Sequence, residues 1–238
     1  MSTGTGRSRA AVWSVGVTVV LALFSVAAVG LLGVRIDRVG EPAFTFLTWN
    51  LFLAWIPYGL ALAMAVLHVR RAPSALLVVL GLGWLLFLPN APYILTDFIH
   101  LGRLAGAPLW FDAALIGAFA GVGLALGLAS LLMVHRVVEA RAGRALGWVV
   151  AVASLVLSAV GVYLGRFPRF NSWDVLTDPS GLVSVVLTRL ADPLGNPFLL
   201  RFALLMSLLL LGSYLIAWIV GRGILGPVPG TQTRMTHR

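Results

Sequence analysis

The residues able to do chemistry in this chain are few, and they are set among apolar ones. The densest polar run is Arg166-Phe-Pro-Arg-Phe-Asn-Ser-Trp-Asp-Val-Leu-Thr-Asp-Pro179, which lies between two long apolar segments. A fainter copy precedes it. Asn90-Ala-Pro-Tyr-Ile-Leu-Thr-Asp97 and Asn171-Ser-Trp-Asp-Val-Leu-Thr-Asp178 share Asn at the first position and Leu-Thr-Asp at the last three, 81 residues apart. Each also carries an aromatic near its middle, Tyr93 in one and Trp173 in the other.

The arginines Arg166 and Arg169 suggest an anion clamp, because a guanidinium grips phosphate or carboxylate in a two-bonded fork. With Asn171 and Trp173 beside them, a small anion or a lipid or polyprenyl phosphate is a reasonable ligand; headgroup contact at the end of a span is the plainer alternative. The carboxylates also have two readings. Asp97 and Asp178 each precede a short apolar stretch, and Asp178 directly before Pro179 is a strong helix start. Alternatively, a carboxylate here binds a cation or moves a proton, with Asp97 or Asp174 as a general base.

Asp112 and Arg201 lie about one turn inside the ends of apolar spans. Arg201 has the reach to snorkel or to pair with an aspartate, whereas Asp112 is short and is expected to face a cavity. Asn50 stands two helical turns before Pro57 and so shares its face. His100, three residues after Asp97, could build a metal site with Asp174 and Asp178. No spaced ligand motif such as H-E-x-x-H is present, so no metal is assigned. No Walker loop, nucleophile elbow or dinucleotide fingerprint appears, and no cofactor is expected. The absence of cysteine excludes disulfides, thiolate metal sites and a cysteine nucleophile.

What positions these residues is set by composition. Of 238 residues, 60% are hydrophobic and 11% charged, against about 25% charged in soluble domains. A water-soluble fold cannot hide that much apolar surface; a bilayer removes the need. The expected fold is all-α, a polytopic transmembrane helical bundle of one domain over 10–222 with about six spans, at 10–34, 44–68, 74–95, 109–135, 145–165 and 197–220. Residues 1–9 and 223–238 read as cytoplasmic tails, the second disordered, and 179–191 as an interfacial helix. The first span is uncharged for 25 residues, longer than a signal-peptide core of about 7–15, although cleavage remains a rival reading.

The third span is unusual. Only 15 apolar residues precede Pro89-Asn-Ala-Pro92, so either the bilayer thins here or Asn90 and Tyr93 sit in broken backbone that protein or a water-filled cavity must satisfy. In the fourth span Gly117, Gly121, Gly123 and Gly127 form small-xxx-small pairs, a surface for close helix approach and for possible homo-oligomer formation. Gly161 and Gly165 form another pair.

All 17 basic residues are arginines. They stand at span ends rather than in an aromatic-interleaved patch, so nucleic acid is not expected, and topogenic charge with anionic lipid is. One set of loops and tails carries 10 Arg against one acid, the other 7 Arg against 7 acids. The positive-inside rule then puts both termini in the cytoplasm and both Asn…Leu-Thr-Asp stretches at the outer face of the cell membrane.

Three ordered motifs, Asn50-Leu-Phe-Leu-Ala-Trp-Ile-Pro57, Trp84-Leu-Leu-Phe-Leu-Pro-Asn-Ala-Pro-Tyr-Ile-Leu-Thr-Asp97 and Gly165-Arg-Phe-Pro-Arg-Phe-Asn-Ser-Trp-Asp-Val-Leu-Thr-Asp178, resemble a family of bacterial integral membrane proteins known as domain of unknown function 1361. Phe170 stands where that pattern has Trp. The resemblance implies a polytopic membrane architecture and no activity. Three functions remain open: a protein that binds or transports a small or lipidic anion at an outer-leaflet pocket lined by Asn50, Asn90, Tyr93, Asp97, Asp112, Arg166, Asn171, Trp173 and Asp174; a membrane-embedded enzyme on lipid-linked substrates; and a structural or assembly partner using the glycine faces.

Overall fold

The computed structural model describes residues 3–102, 106–177, 180, 181, 184, 188 and 197–225. Asp178 and most of 179–191, with the 226–238 tail, lie outside the described residues. The described chain is helical throughout: α1 Thr3–Val39, α2 Phe46–Val69, α3 Ser74–Phe87, α4 Asn90–Tyr93, a 3-10 helix Ile94–His100, α5 Leu109–Ala142, α6 Arg144–Arg166, α7 Asp174–Thr177 and α8 Pro197–Leu225. Six helical segments are long and apolar enough to cross a membrane, with α3, α4 and the 3-10 helix acting together as the third. The protein is an all-α polytopic bundle.

Helix α5 is its centre. Of its most apolar stretch 61% is buried, against 17% for α1 and 11% for α8. It touches α1, α2, α4, the 3-10 helix, α6 and α8. Large apolar side chains on the outer faces, such as Val12, Leu23, Val79, Leu82, Leu205 and Ile216, are exposed. Lipid tails are as apolar as these side chains, so hydrophobicity drives little helix association. Close packing and buried polar links must do it. Trp84 donates to Ser130 at 3.1 Å, Trp55 donates to Ser25 at 3.1 Å, and the Thr18 and Tyr58 hydroxyls meet at 2.7 Å.

Two boundaries differ from expectation. The first helix does not end at 34. It continues to Val39, stops at Gly40 in the left-handed region (φ 76°), and so carries Arg35 inside the bundle. The stretch 136–144 is not a loop: α5 runs to Ala142, and Gly143 alone, with φ 94°, separates it from α6. The expected spans left 136–144 as a basic connection between them, but arginines at the end of a helix are also favoured by its dipole.

The double proline of the third span is accommodated without leaving helical space. Leu88, Pro89 and Ile94 all keep right-handed helical angles. The ladder tightens at Ala91, whose N–H donates to Leu88 O three residues back at 3.1 Å, and returns to four-residue spacing at Tyr93, whose N–H donates to Pro89 O at 3.0 Å. The Asn90 side-chain amide donates to Phe87 O at 2.9 Å. Neither prolines nor glycines alone explain this geometry; together they do. A Cβ on Gly123 would stand 2.7 Å from Ala91 O, one on Gly127 2.9 Å from Ala91 Cβ, and one on Gly161 2.5 Å from Pro89 Cγ. The proline-broken turn is thus wedged between glycine faces of α5 and α6. Gly121, by contrast, has no neighbour within 4 Å.

Candidate functional site

Arg166 ends α6 and points into the wedge. Its Nε donates to Thr96 Oγ1 at 2.7 Å, one Nη donates to the Asp97 carboxylate, and the guanidinium lies over the Tyr93 ring at 4.4 Å. Asn50, on α2, donates to the other Asp97 oxygen at 2.9 Å. The side chain of Asp97 is 1% exposed and that of Arg166 12%. One carboxylate therefore binds together α2, the 3-10 helix and α6. Such a buried pair satisfies both charges at a desolvation cost that only good geometry offsets.

The two related stretches touch. Asn90, besides its bond to Phe87, donates to Ser172 Oγ at 2.9 Å, and Gly165 leaves room for the Tyr93 ring. Between them lies a cavity of about 250 Å³, lined by the polar side chains of Asn50, Asn90 and Tyr93, by the 170–173 segment, and by apolar side chains such as Leu53, Leu86 and Leu164. Trp49 and Trp173, both partly exposed, stand among its lining. Asn50 and Tyr93 belong both to the cavity and to the Arg166–Asp97 cluster.

The expected site residues thus divide. Asn50, Asn90, Tyr93, Asn171 and Trp173 line the cavity. Asp97 and Arg166 adjoin it but are bonded to each other, so Arg166 is not half of an open anion clamp. Arg169 is exposed and held at φ 66°, left-handed for a side chain that pays for it. Asp174 takes the N–H of Asn171 at 2.6 Å while its own N–H donates to Asn171 O at 3.0 Å. That is a reciprocal cap for α7, the structural role of such a spacing. Asp178 lies outside the described residues.

Asp112 is not at the cavity. It is buried and paired with Arg35, Nε to Oδ1 at 2.7 Å and Nη2 to Oδ2 at 3.3 Å, under a cation–π contact between Arg35 and Phe44 at 4.6 Å. The reason is the extra turn of α1, which carries Arg35 in reach. Sequence reading placed Arg35 in a polar turn; the signal it passed over is helical phase, since Ala28, Leu32 and Arg35 share one buried face. It also put His135 at the membrane edge. His135 is 1% exposed, its Nδ1 2.6 Å from the Tyr214 hydroxyl, because α5 continues past it. Thr96, Ser172 and Trp49 were likewise missed. Arg201 is exposed. His100 packs against Phe46 at 5.0 Å between ring centres, and no cluster of three metal-ligating side chains occurs among the described residues.

The family model described as protein of unknown function (DUF1361) matches residues 49–212, and the chain belongs to that family. No curated protein and no solved structure matches it. The matched region begins at Trp49 and takes in the whole cavity, but excludes all of α1, Arg35 included.

Proposed function

We propose that this member of the family binds the head of a lipid-like anion in the cavity between the 90–97 and 170–173 stretches. The observation that carries the reading is the lining of that cavity, which combines the amides and hydroxyls of Asn50, Asn90, Tyr93, Asn171 and Ser172 with leucine side chains and two tryptophans. Its roughly 250 Å³ falls just below the range of about 300–1,000 Å³ that encloses a whole small ligand. A lipid needs less, because its tail stays in the bilayer. Arg166 is neutralised by Asp97, so the anion's counter-charge falls to Arg169, an exposed residue that directly precedes the lining residues Phe170 and Asn171 in the chain. With both termini assigned to the cytoplasm by the arginine count, the cavity opens at the outer leaflet of the cell membrane.

Catalysis on a lipid-linked substrate would need a carboxylate free to take a proton. Asp97 and Asp174 both spend their oxygens on structural bonds, which favours binding over chemistry.

The test is native mass spectrometry of the protein released from native-lipid nanodiscs. Wild type should retain a lipid adduct that Leu164→Trp, which fills the apolar wall, displaces, and that Arg169→Gln weakens about 5- to 30-fold, the weight of a charge-assisted hydrogen bond of about 1–2 kcal/mol. Leu208→Trp, on an exposed face of α8, should leave the adduct unchanged. An adduct indifferent to Leu164→Trp would overturn the proposal.

A further inference from the structure

We propose, resting on the reading that the cavity holds the head of a lipid-like anion, that this head carries hydroxyls: the ligand is a polyol or sugar phosphate lipid and not a bare phosphate. What decides it is which hydrogen-bonding groups of the lining the protein has already used. The Asn90 side-chain nitrogen donates to Phe87 O and to Ser172 Oγ, each at 2.9 Å, which occupies both of its N–H groups. The Asn50 side-chain nitrogen donates to the Asp97 carboxylate at 2.9 Å. A backbone carbonyl and an ion-paired carboxylate can only accept, so neither amide can turn over and present its nitrogen instead. The oxygens of both amides are left over, and neither has a donor among the described residues. Both residues line the cavity.

Two unspent amide oxygens constrain the ligand. Such an oxygen carries partial negative charge and has no proton to give. A phosphate group offers acceptors almost exclusively, so a bare phosphate against Asn50 and Asn90 would meet acceptor with acceptor, and an acceptor left unpaired there weakens binding. A hydroxyl donates to the amide oxygen, and it can also accept from Tyr93 or Ser172, whose own hydroxyls give or take. An ammonium would donate to the amides as well, but its charge has no counterpart. No carboxylate lines the cavity among the described residues, and Asp97 beside it is already bonded to Arg166 and Asn50. A hydroxylated head meets both conditions, with its phosphate left to Arg169. Trp49 and Trp173, both partly exposed members of the lining, add aromatic surface on which the C–H face of a polyol can rest, since an aromatic face is the negative end of its quadrupole.

The experiment uses the full chain in detergent, titrated in turn with phosphatidylglycerol, phosphatidylinositol, phosphatidic acid and phosphatidylethanolamine of the same acyl chains, and read by native mass spectrometry. Only the adduct that Leu164→Trp displaces is counted, since lipid held elsewhere survives that variant. Phosphatidylglycerol or phosphatidylinositol should bind about fivefold tighter than phosphatidic acid, as one net hydrogen bond allows. Preference for either supports the proposal, and the tighter of the two says whether the head is open-chain or a ring. Tyr93→Phe keeps the ring under Arg166 and removes only the hydroxyl; it should lower the ratio of hydroxylated lipid to phosphatidic acid about threefold. Asn90→Leu, which removes one amide oxygen, should lower the ratio further. A structural role alone would weaken every lipid alike and leave the ratio where it was, and that result in both variants would overturn the proposal. The wild-type ratio and Tyr93→Phe decide the matter even if Asn90→Leu fails to fold. Phosphatidic acid or phosphatidylethanolamine binding as tightly as the hydroxylated lipids would overturn the hydroxylated head while leaving the cavity a lipid site. Adducts all indifferent to Leu164→Trp would overturn the lipid site itself, so the two failures are told apart.

Discussion

Removing the Arg166 charge should destabilise the protein more than removing its partner's. Arg166→Gln leaves the Asp97 carboxylate, 1% exposed, with only the Asn50 amide. An uncompensated buried charge of this kind costs about 3–5 kcal/mol. Asp97→Asn keeps the shape and one acceptor oxygen, and the arginine it strands is long, partly exposed and at a helix end, so it can swing toward the headgroups. Its cost should be about 1–3 kcal/mol, the price of a lost charged hydrogen bond. The double variant should be no worse than Arg166→Gln alone, a coupling at least equal to the Asp97→Asn cost of about 1–3 kcal/mol, as residues in direct contact show. Equilibrium unfolding in mixed micelles, or steric trapping in bilayers, measures all three. If the two single losses add to within about 0.5 kcal/mol, the pair is not the tie between α6 and the third span, and the account of the wedge fails with it.

Other perturbations test the packing and the topology. Gly123→Ala should cost about 1–3 kcal/mol by overpacking, because its Cβ would meet Ala91 O at 2.7 Å; Gly121→Ala, with nothing within 4 Å, should gain about 0.5–1 kcal/mol of helix propensity, and the same unfolding assay compares them. Arg35→Met should destabilise by about 3–5 kcal/mol by stranding Asp112, and Arg35→Met/Asp112→Leu should recover most of it; no recovery would mean that Arg35 acts through Phe44 instead. Thr177→Cys would be the chain's one thiol and is exposed. It should react with a membrane-impermeant maleimide in intact cells; reaction only after permeabilisation would invert the assigned orientation.

The span count was legible because 20-residue apolar runs have few physical alternatives. Asn50, Asn90, Tyr93, Asn171 and Trp173 were legible for a related reason: a polar or amphipathic residue at membrane depth must face protein, a cavity or the interface. What composition could not show was which partner each charge takes. Asp112 and Asp97 look alike in sequence, each an aspartate near the end of an apolar span. One meets Arg35 and the other Arg166, and the choice is made by where α1 and α6 stop. Arg35 was hidden by the habit of ending a helix at its first charge, and His135 by the same habit at the end of α5. In both cases the helix went on for at least another turn, and the residue at the supposed edge became an interior one.

The repeat between the two stretches also divides on inspection. Asn90 bridges Phe87 and Ser172, whereas Asn171 serves the cap of α7 through its backbone. Both threonines bond back within their own turn, Thr96 to Tyr93 O and Thr177 to Trp173 O and Asp174, and Thr96 accepts from Arg166 as well. Shared letters therefore mean only partly shared roles, and nothing in these contacts requires a duplicated site. What the two stretches share is a need: each breaks a helix next to the cavity, and each must supply hydrogen bonds that the helix no longer makes. Asn, Thr and Asp are the residues whose side chains reach their own or nearby backbone. In the first stretch the surplus of that chemistry goes further, because Gly123, Gly127, Gly161 and Gly165 bring α5 and α6 close enough for Arg166 to collect Thr96, Asp97 and Tyr93 at once. The glycines thus do for this site what charge cannot. They set the distance at which one arginine closes the wedge on Asp97, and with Arg166 so neutralised the proposed anion would have Arg169 as its counter-charge.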